Sequence, residues 1–294
     1  MSALTLASTP EDATALQTAE AHHARLAGEL TGRVTMLLTA VDRDPGAAER
    51  IRAGLVAFCD RSLLPHAAAE EAALYPAAHA LPEARLLVEF LIAEHRCLTE
   101  LVDALRTSTR PSGAVADARA LQVLFAEHLA KENGLVLPLL AVAPDVSLAT
   151  LLSDMHQRLA TGPHTAPGPI HAPGPIPAPG PIPAPGPEAD HGHGPRDRDD
   201  EEAGACGGDC GCGGAEETAE PEPELDVRGV PHALRHATVF GALDAVPVGH
   251  AMVLVAPHDP KPLLAQIEQR SPGAFSVEYL ERGPEAWRLR LDHH

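Results

Sequence analysis

LPHAAAEEAALYP at residues 64–76 and EHLAKENGLVLP at residues 127–138 share one frame. His66 and Glu70 match His128 and Glu132, and Tyr75-Pro76 matches Leu137-Pro138. A shorter echo precedes each stretch. His23 is followed by Ala24-Arg25-Leu26, and Glu94-His95 by Arg96-Cys97-Leu98. The first half of the chain thus reads as a doubled unit, a His helix followed by a His-x3-Glu helix. Residues four apart lie on one helical face, one turn apart. Each His-x3-Glu pair can therefore aim two side chains at one point.

On either side of these stretches, apolar residues recur at steps of three and four, the period of an amphipathic helix. Thr9-Pro10-Glu11-Asp12 reads as a helix start, with Pro in the first turn and acids near the N-terminus. Its stripe is His23, Leu26, Leu30, Val34, Leu37 and Val41. A second stripe carries Leu55, Cys59, Leu63, His66, Glu70 and Leu74. Pro65 predicts a kink just before His66, and Tyr75-Pro76 is expected to close that helix. A third helix is expected from about 81–83, with Leu91, His95, Leu98, Val102 and Leu105, then a loop over 107–113. A fourth carries Leu121, Leu124, His128, Glu132, Leu135 and Leu139. A short fifth, about 147–159, is placed on the outside. Cys59 and Cys97 read as small core residues. Four long helices with short loops predict an all-α, up-down four-helix bundle over residues 1–162.

From Gly162 the character changes. APGPIHAPGPIPAPGPIPAPGP cannot form a core and reads as extended. The acidic, Gly-rich tract after it carries Cys206, Cys210 and Cys212 with His191 and His193 nearby. Residues 163–223 are expected to be a disordered linker. The three cysteines read either as a transient metal or redox site or as incidental thiols. Structure resumes at Leu225. LDVRG reads as a strand, 231–243 as a helix, HAMVLVAP as a buried strand and 261–270 as a helix capped by Asp259-Pro260. FSVEYL and AWRLRL read as a hairpin. The order β-α-β-α-β-β over residues 224–294 predicts a small two-layer sandwich, making the chain multidomain.

Composition bounds the function. The net charge is −19. Counting along the chain, residues 1–162 carry 20 acids and 13 bases (net −7), 163–224 carry 13 and 2 (net −11), and 225–294 carry 8 and 7 (net −1). No basic patch suggests nucleic acid. No apolar run reaches membrane-spanning length. The N-terminal residues lack the basic start and apolar core of a signal peptide, so a cytoplasmic protein is expected.

His23, His66, Glu70, His95, His128 and Glu132 all fall on apolar stripes. Burying an unpaired carboxylate costs several kcal/mol, while a whole domain is stable by about 5–15 kcal/mol. Mutual His–Glu hydrogen bonds offset part of that cost; a pair of divalent ions offsets it fully. Imidazole plus carboxylate without thiolate suits iron, manganese or zinc. Four His and two Glu fit two ions with two bridging carboxylates and an oxo or hydroxo bridge. About one position per ion then stays open for a small ligand such as O2, nitric oxide or peroxide. Ferritin-like di-iron proteins use Glu-x2-His instead.

On the doubled His…His-x3-Glu pattern and its EEAALYP tail, residues of about 15–142 resemble the hemerythrin-like (HHE) family. The resemblance implies metal ligation by His23, His66, Glu70, His95, His128 and Glu132, and two non-heme iron ions, oxo- or hydroxo-bridged, as cofactor. It implies a protein that binds O2, nitric oxide or peroxide in stress response or sensing. The second reading is a di-iron enzyme that reduces peroxide or nitric oxide, or donates iron in iron–sulfur cluster repair. His22 is an adjacent alternative to His23, which aligns with His95. Glu71 aligns with Asn133 and reads as an outer partner or exposed. Oxygen-carrying hemerythrins have a further His one turn after the third and end on His-x4-Asp. Here Thr99 and the pair His128-x3-Glu132 stand instead, a set closer to the bacterial di-iron proteins that repair iron–sulfur centres. Residues 224–292, through LDVRGVPHALRH and APHDPKPLLAQIEQRSPG, resemble a bacterial domain of unknown function with a TusA-like sulfur-carrier fold. The carriers place a Cys before the first-helix Pro; Val230 stands there, so the persulfide-bearing thiol is missing. His232, His236 and His258 are either surface histidines or ligand-binding groups at helix starts. The C-terminal domain is expected to pass on the state of the bundle or to recruit a protein partner.

Overall fold

The computed structural model describes residues 7–161 and 222–294. Residues 163–221 of the expected linker, with Cys206, Cys210 and Cys212, lie outside them. The helical part comprises α1 (Pro10–Ala40), α2 (Pro45–Phe58), α3 (Leu64–Ala73), α4 (Tyr75–Ala80), α5 (Arg85–Thr107), α6 (Pro111–Lys131), α7 (Leu137–Val142) and α8 (Leu148–Thr161). Two wide π turns, Cys59–Leu63 and Glu132–Val136, join α2 to α3 and α6 to α7. The four long helical rods of the expected bundle are therefore α1, α2–α4, α5 and α6–α7.

Both π turns have the same cause. Each ends just before an X-Pro step, Leu64-Pro65 and Leu137-Pro138, where the ring carries no N–H and collides with the preceding turn. The Leu64 and Leu137 N–H groups reach back five residues, to the carbonyls of Cys59 and Glu132. The widened turn takes up the extra residue without ending the rod. The kink expected before His66 has this form. The phase slip also corrects the fourth stripe. Leu135 turns outward at 51% exposure, and Val136, Leu137, Leu140 and Ala141 are buried instead. Tyr75-Pro76 does not close its helix: Leu74 N–H still bonds the Glu70 carbonyl, and α4 continues from Tyr75. The loop between α5 and α6 is shorter than expected, because α6 starts at Pro111.

Local chemistry sets the ends. Thr9 Oγ1 accepts the Asp12 N–H at 3.1 Å, and Asp44 Oδ1 accepts that of Ala47 at 2.9 Å, two N-caps each followed by Pro. Asp12 is buried and its carboxylate accepts the Ala149 N–H at 2.9 Å, tying the start of α8 to α1. Leu148, Leu152 and Met155 of α8 are buried with Leu16, Leu74, Tyr75 and Leu91. The fifth helix thus belongs to the core rather than the outside. Cys59 is buried, but Cys97 is exposed, contrary to expectation.

The C-terminal part is β1 (Glu224–Asp226), α9 (His232–Leu243), β2 (Ala251–Ala256), α10 (Lys261–Arg270), β3 (Phe275–Arg282) and β4 (Trp287–His293), the expected element order. The sheet runs β1-β2-β4-β3, with β1 parallel to β2 and the other pairs antiparallel. Every residue of β2 is buried. The α10 N-cap is Pro260 without a side-chain bond; Asp259 instead accepts from the Tyr279 hydroxyl.

This sheet and the bundle share one apolar cluster, from Leu26, Leu30 and Leu98 to Val239, Leu254 and Leu291. The contact is a helix crossing of α9 on α1, too close for side chains. A Cβ on Gly32 would stand 2.1 Å from the Thr238 carbonyl oxygen, and one on Gly241 would stand 2.3 Å from that of Glu29. Arg33 donates to Asp244 at 2.7 Å beside this crossing, and Arg270 donates to the same carboxylate at 2.8 Å.

Candidate metal centre

The bundle core is not continuous. One apolar cluster holds Leu26, Leu63, Leu98 and Leu129; the other holds Ala19, Ala73, Leu91 and Val136. His23, His66, Glu70, His95 and Glu132 lie between those residues in sequence, His128 directly precedes Leu129, and none of the six is more than 4% exposed. They form a polar layer across an apolar bundle.

Within the layer, Glu70 is the meeting point. Its Oε1 lies 3.3 Å from His23 Nε2 and 2.8 Å from His66 Nε2, and its Oε2 lies 3.6 Å from His95 Nε2. His95 and His128 face each other Nε2 to Nε2 at 3.0 Å. Two ligand groups result, His23–His66–Glu70 and Glu70–His95–His128, each with donor atoms within 4.8 Å of one another, and both contain Glu70. Glu132 enters neither group. Its Oε1 accepts from the Tyr75 hydroxyl at 2.7 Å, and its Oε2 stands 3.6 Å from His128 Nε2.

Three imidazoles are anchored from outside. His23 Nδ1 bonds Asn133 Oδ1 at 2.7 Å, His95 Nδ1 bonds Glu71 Oε1 at 2.8 Å, and His128 Nδ1 bonds Glu94 Oε2 at 3.1 Å. An oxygen acceptor at Nδ1 fixes the proton there and turns the Nε2 lone pair inward, the arrangement that metal-binding histidines use. Glu71 and Asn133 occupy equivalent places in the repeat, and each supports the first histidine of the other half. Both Nδ1 and Nε2 of His66, with Glu70 Oε1 and Glu132 Oε2, are buried without a hydrogen-bond partner. The 2.8 Å approach of His66 to Glu70 is thus close but not aligned as a hydrogen bond. Such orphaned atoms are costly in a native core, and all but His66 Nδ1 are inward donor atoms of one layer. The donor set and its unpaired atoms fit divalent cations.

The protonation pattern is that of a site built around positive charge. Burial opposes the His23 and His95 imidazolium forms, but the close Glu70 carboxylate, with the Asn133 and Glu71 oxygens at their Nδ1 atoms, outweighs it and carries both up to about 9. Burial likewise opposes the Glu70 carboxylate, yet the facing imidazoles of His66, His23 and His95 hold it well below the usual range. Burial, then repulsion from Glu70, pushes Glu132 up to about 8. Burial and the His95 charge bring His128 down to about 4. Without ions, the layer keeps its charge balance with protons.

Of the residues picked out from the sequence, His23 enters the layer and His22 stands half-buried beside it. His232, His236 and His258 are exposed and join no group among the described residues. Tyr75, Glu94 and Asn133 were not singled out as working parts. Tyr75 is fully buried with its hydroxyl also 3.4 Å from His95 Nε2, and burial raises its pKa, keeping the proton on.

A buried His/Glu layer centred on one shared carboxylate, inside a four-rod helical bundle, defines a metal-binding helical protein. Residues 14–140 match the family described as Hemerythrin HHE cation binding domain, and residues 224–293 match Uncharacterized conserved protein (DUF2249). The chain thus carries a hemerythrin-like, metal-binding domain followed by a domain of that second family. No curated protein and no solved structure gives a significant match. No helix among the described residues is long and apolar enough to cross a membrane.

Proposed function

We propose that His23, His66, Glu70, His95, His128 and Glu132 hold two non-heme iron ions, with Glu70 shared, and that the centre binds O2, nitric oxide or peroxide in sensing or stress response. The observation that carries this reading is the pair of three-ligand groups meeting at Glu70. When bound, an iron pair supplies redox chemistry and an open position for a small ligand. The chain does the rest. Asn133, Glu71 and Glu94 orient three imidazoles. Tyr75 holds Glu132 by a hydrogen bond. Two apolar clusters above and below keep bulk water from the layer. The C-terminal domain, docked on the helix that carries His23, conveys the state of the centre to a protein partner, and the cytoplasm is the proposed compartment.

The test is anaerobic loading of the full chain with Fe(II), followed by metal analysis and visible spectra before and after nitric oxide or azide. Two irons per chain and a spectrum that responds to the added ligand are expected. No iron, or a spectrum that ignores both ligands, contradicts the reading. Tyr75 favours a second reading, because a buried, protonated hydroxyl beside the layer is a ready proton donor. In that reading the centre reduces peroxide or nitric oxide with electrons from an external donor. Sustained turnover that disappears in Glu70→Ala supports it; stoichiometric binding without turnover rejects it.

A further inference from the structure

The two halves of the layer share their inward ligands but not their outer supports. Around His95 and His128 both Nδ1 partners are carboxylates, Glu71 and Glu94, and Lys131 Nζ bonds Glu94 in turn. Around His23 and His66 the first partner is a neutral amide, Asn133, and the second is missing. The repeat explains why. The residue before His95 is Glu94; the residue before His23 is His22, whose ring lies 4.9 Å from that of His66. An imidazole thus stands where the other half has a carboxylate. The third difference points the same way: Tyr75 donates to Glu132, and its repeat counterpart Leu137 has nothing to donate to Glu70.

Resting on the two-ion reading above, we propose that the ion positions differ in lability. The position at His23, His66 and Glu70 exchanges its ion, with His66 as the ligand that lets go, and the position at Glu70, His95 and His128 retains its ion. A carboxylate at Nδ1 fixes the ring and raises its basicity, and losing such a partner costs about 10–100-fold in metal affinity. His66 has none, so no hydrogen bond outside the layer fixes its ring. His22, and exposed His156 with its ring 6.5 Å from His22, offer a departing ion further imidazoles outside the layer.

The experiment loads the full chain with Co(II), adds excess EDTA and follows the visible bands and bound cobalt with time. Two release phases are expected, one ion each. His22→Glu, which puts a carboxylate where the repeat has Glu94, is expected to slow the fast phase about tenfold and leave the slow phase alone. Glu94→Ala is expected to speed the slow phase, and Glu94→Gln, which keeps an accepting oxygen, to restore much of the difference. That rescue separates positioning from mere folding. Two ions leaving in one phase, or a fast phase indifferent to His22→Glu, overturn the inference and leave the centre standing. A chain that takes up no cobalt overturns the centre and the inference together.

Discussion

The first and second halves of the repeat look alike in sequence and differ in what surrounds them. His23 and His95 are equivalent, and both are buried in the layer. Beyond them, α1 and α5 part company. Gly28 and Gly32 of α1 correspond to Glu100 and Ala104 of α5. The glycines let α9 approach until backbones touch, so α1 is covered by the C-terminal domain. The other rod keeps solvent-facing residues, with Leu86 and Phe90 exposed at 68% and 69%. A duplicated fold thus keeps its inward face for one job and diverges on its outward face, where supports and docking are decided.

The comparison is broken most severely at the one residue both halves share. Glu70→Ala is expected to abolish binding of both ions, whereas His66→Ala and His128→Ala should each impair one position more than the other. Metal content per chain reads this directly. Equal, partial losses in all three variants would falsify a shared carboxylate.

Protons sharpen it next. His23 and His95, raised to about 9, are protonated more readily in the folded, ion-free chain than in the unfolded one. Their stabilisation is complete below the ordinary histidine pKa of about 6.5 and is lost as pH climbs through about 9. Glu132, raised to about 8, acts in the same direction. His128, lowered to about 4, acts oppositely, but only between about 4 and 6.5. The melting temperature of the ion-free chain should therefore fall between pH 6.5 and 9. Ion affinity should rise over the same range, because binding expels those protons. Thermal melts with and without Co(II) check both slopes, and parallel slopes would contradict a layer whose charge is balanced by protons.

Gly32→Ala tests the outward face. Its Cβ collides with main chain rather than a movable side chain, so a loss of about 1–3 kcal/mol is expected. Early proteolytic release of the C-terminal domain should accompany it. Ala104→Gly, the equivalent site on α5, should cost no more than about 1 kcal/mol, the usual helix penalty. Tyr75→Phe acts on one ion position. It removes the donor to Glu132 and should weaken the His95–His128 position by about tenfold, roughly the value of one hydrogen bond to a charged group. The His23–His66 position should be unaffected, as two-step Co(II) titration would show.

Much of this was legible in the sequence, for identifiable reasons. The doubled His and His-x3-Glu spacing located all six residues of the layer, because helical periodicity converts spacing into direction. The β-α-β-α-β-β order was readable from strand alternation and prolines. The phase slip after Glu132 was not, since Pro138 could equally have ended the helix; the cost is visible at Leu135, expected inside and found outside. The supports of Glu71 and Asn133 act across the repeat, from one half to the histidine of the other, and no local spacing reports such a contact. Their alignment with each other was the available signal. The docking of α9 was equally silent in periodicity, though Gly28 and Gly32, one turn apart and both facing the α9 main chain, carried the hint.

Under the proposed reading, two ion positions meet at one carboxylate, Glu70. The most direct measurement is native mass spectrometry of the full chain, loaded anaerobically with Fe(II), beside the same chain carrying Glu70→Ala. Two irons in the first and none in the second are expected. A single iron in the parent chain, or two that survive the loss of Glu70, would contradict it.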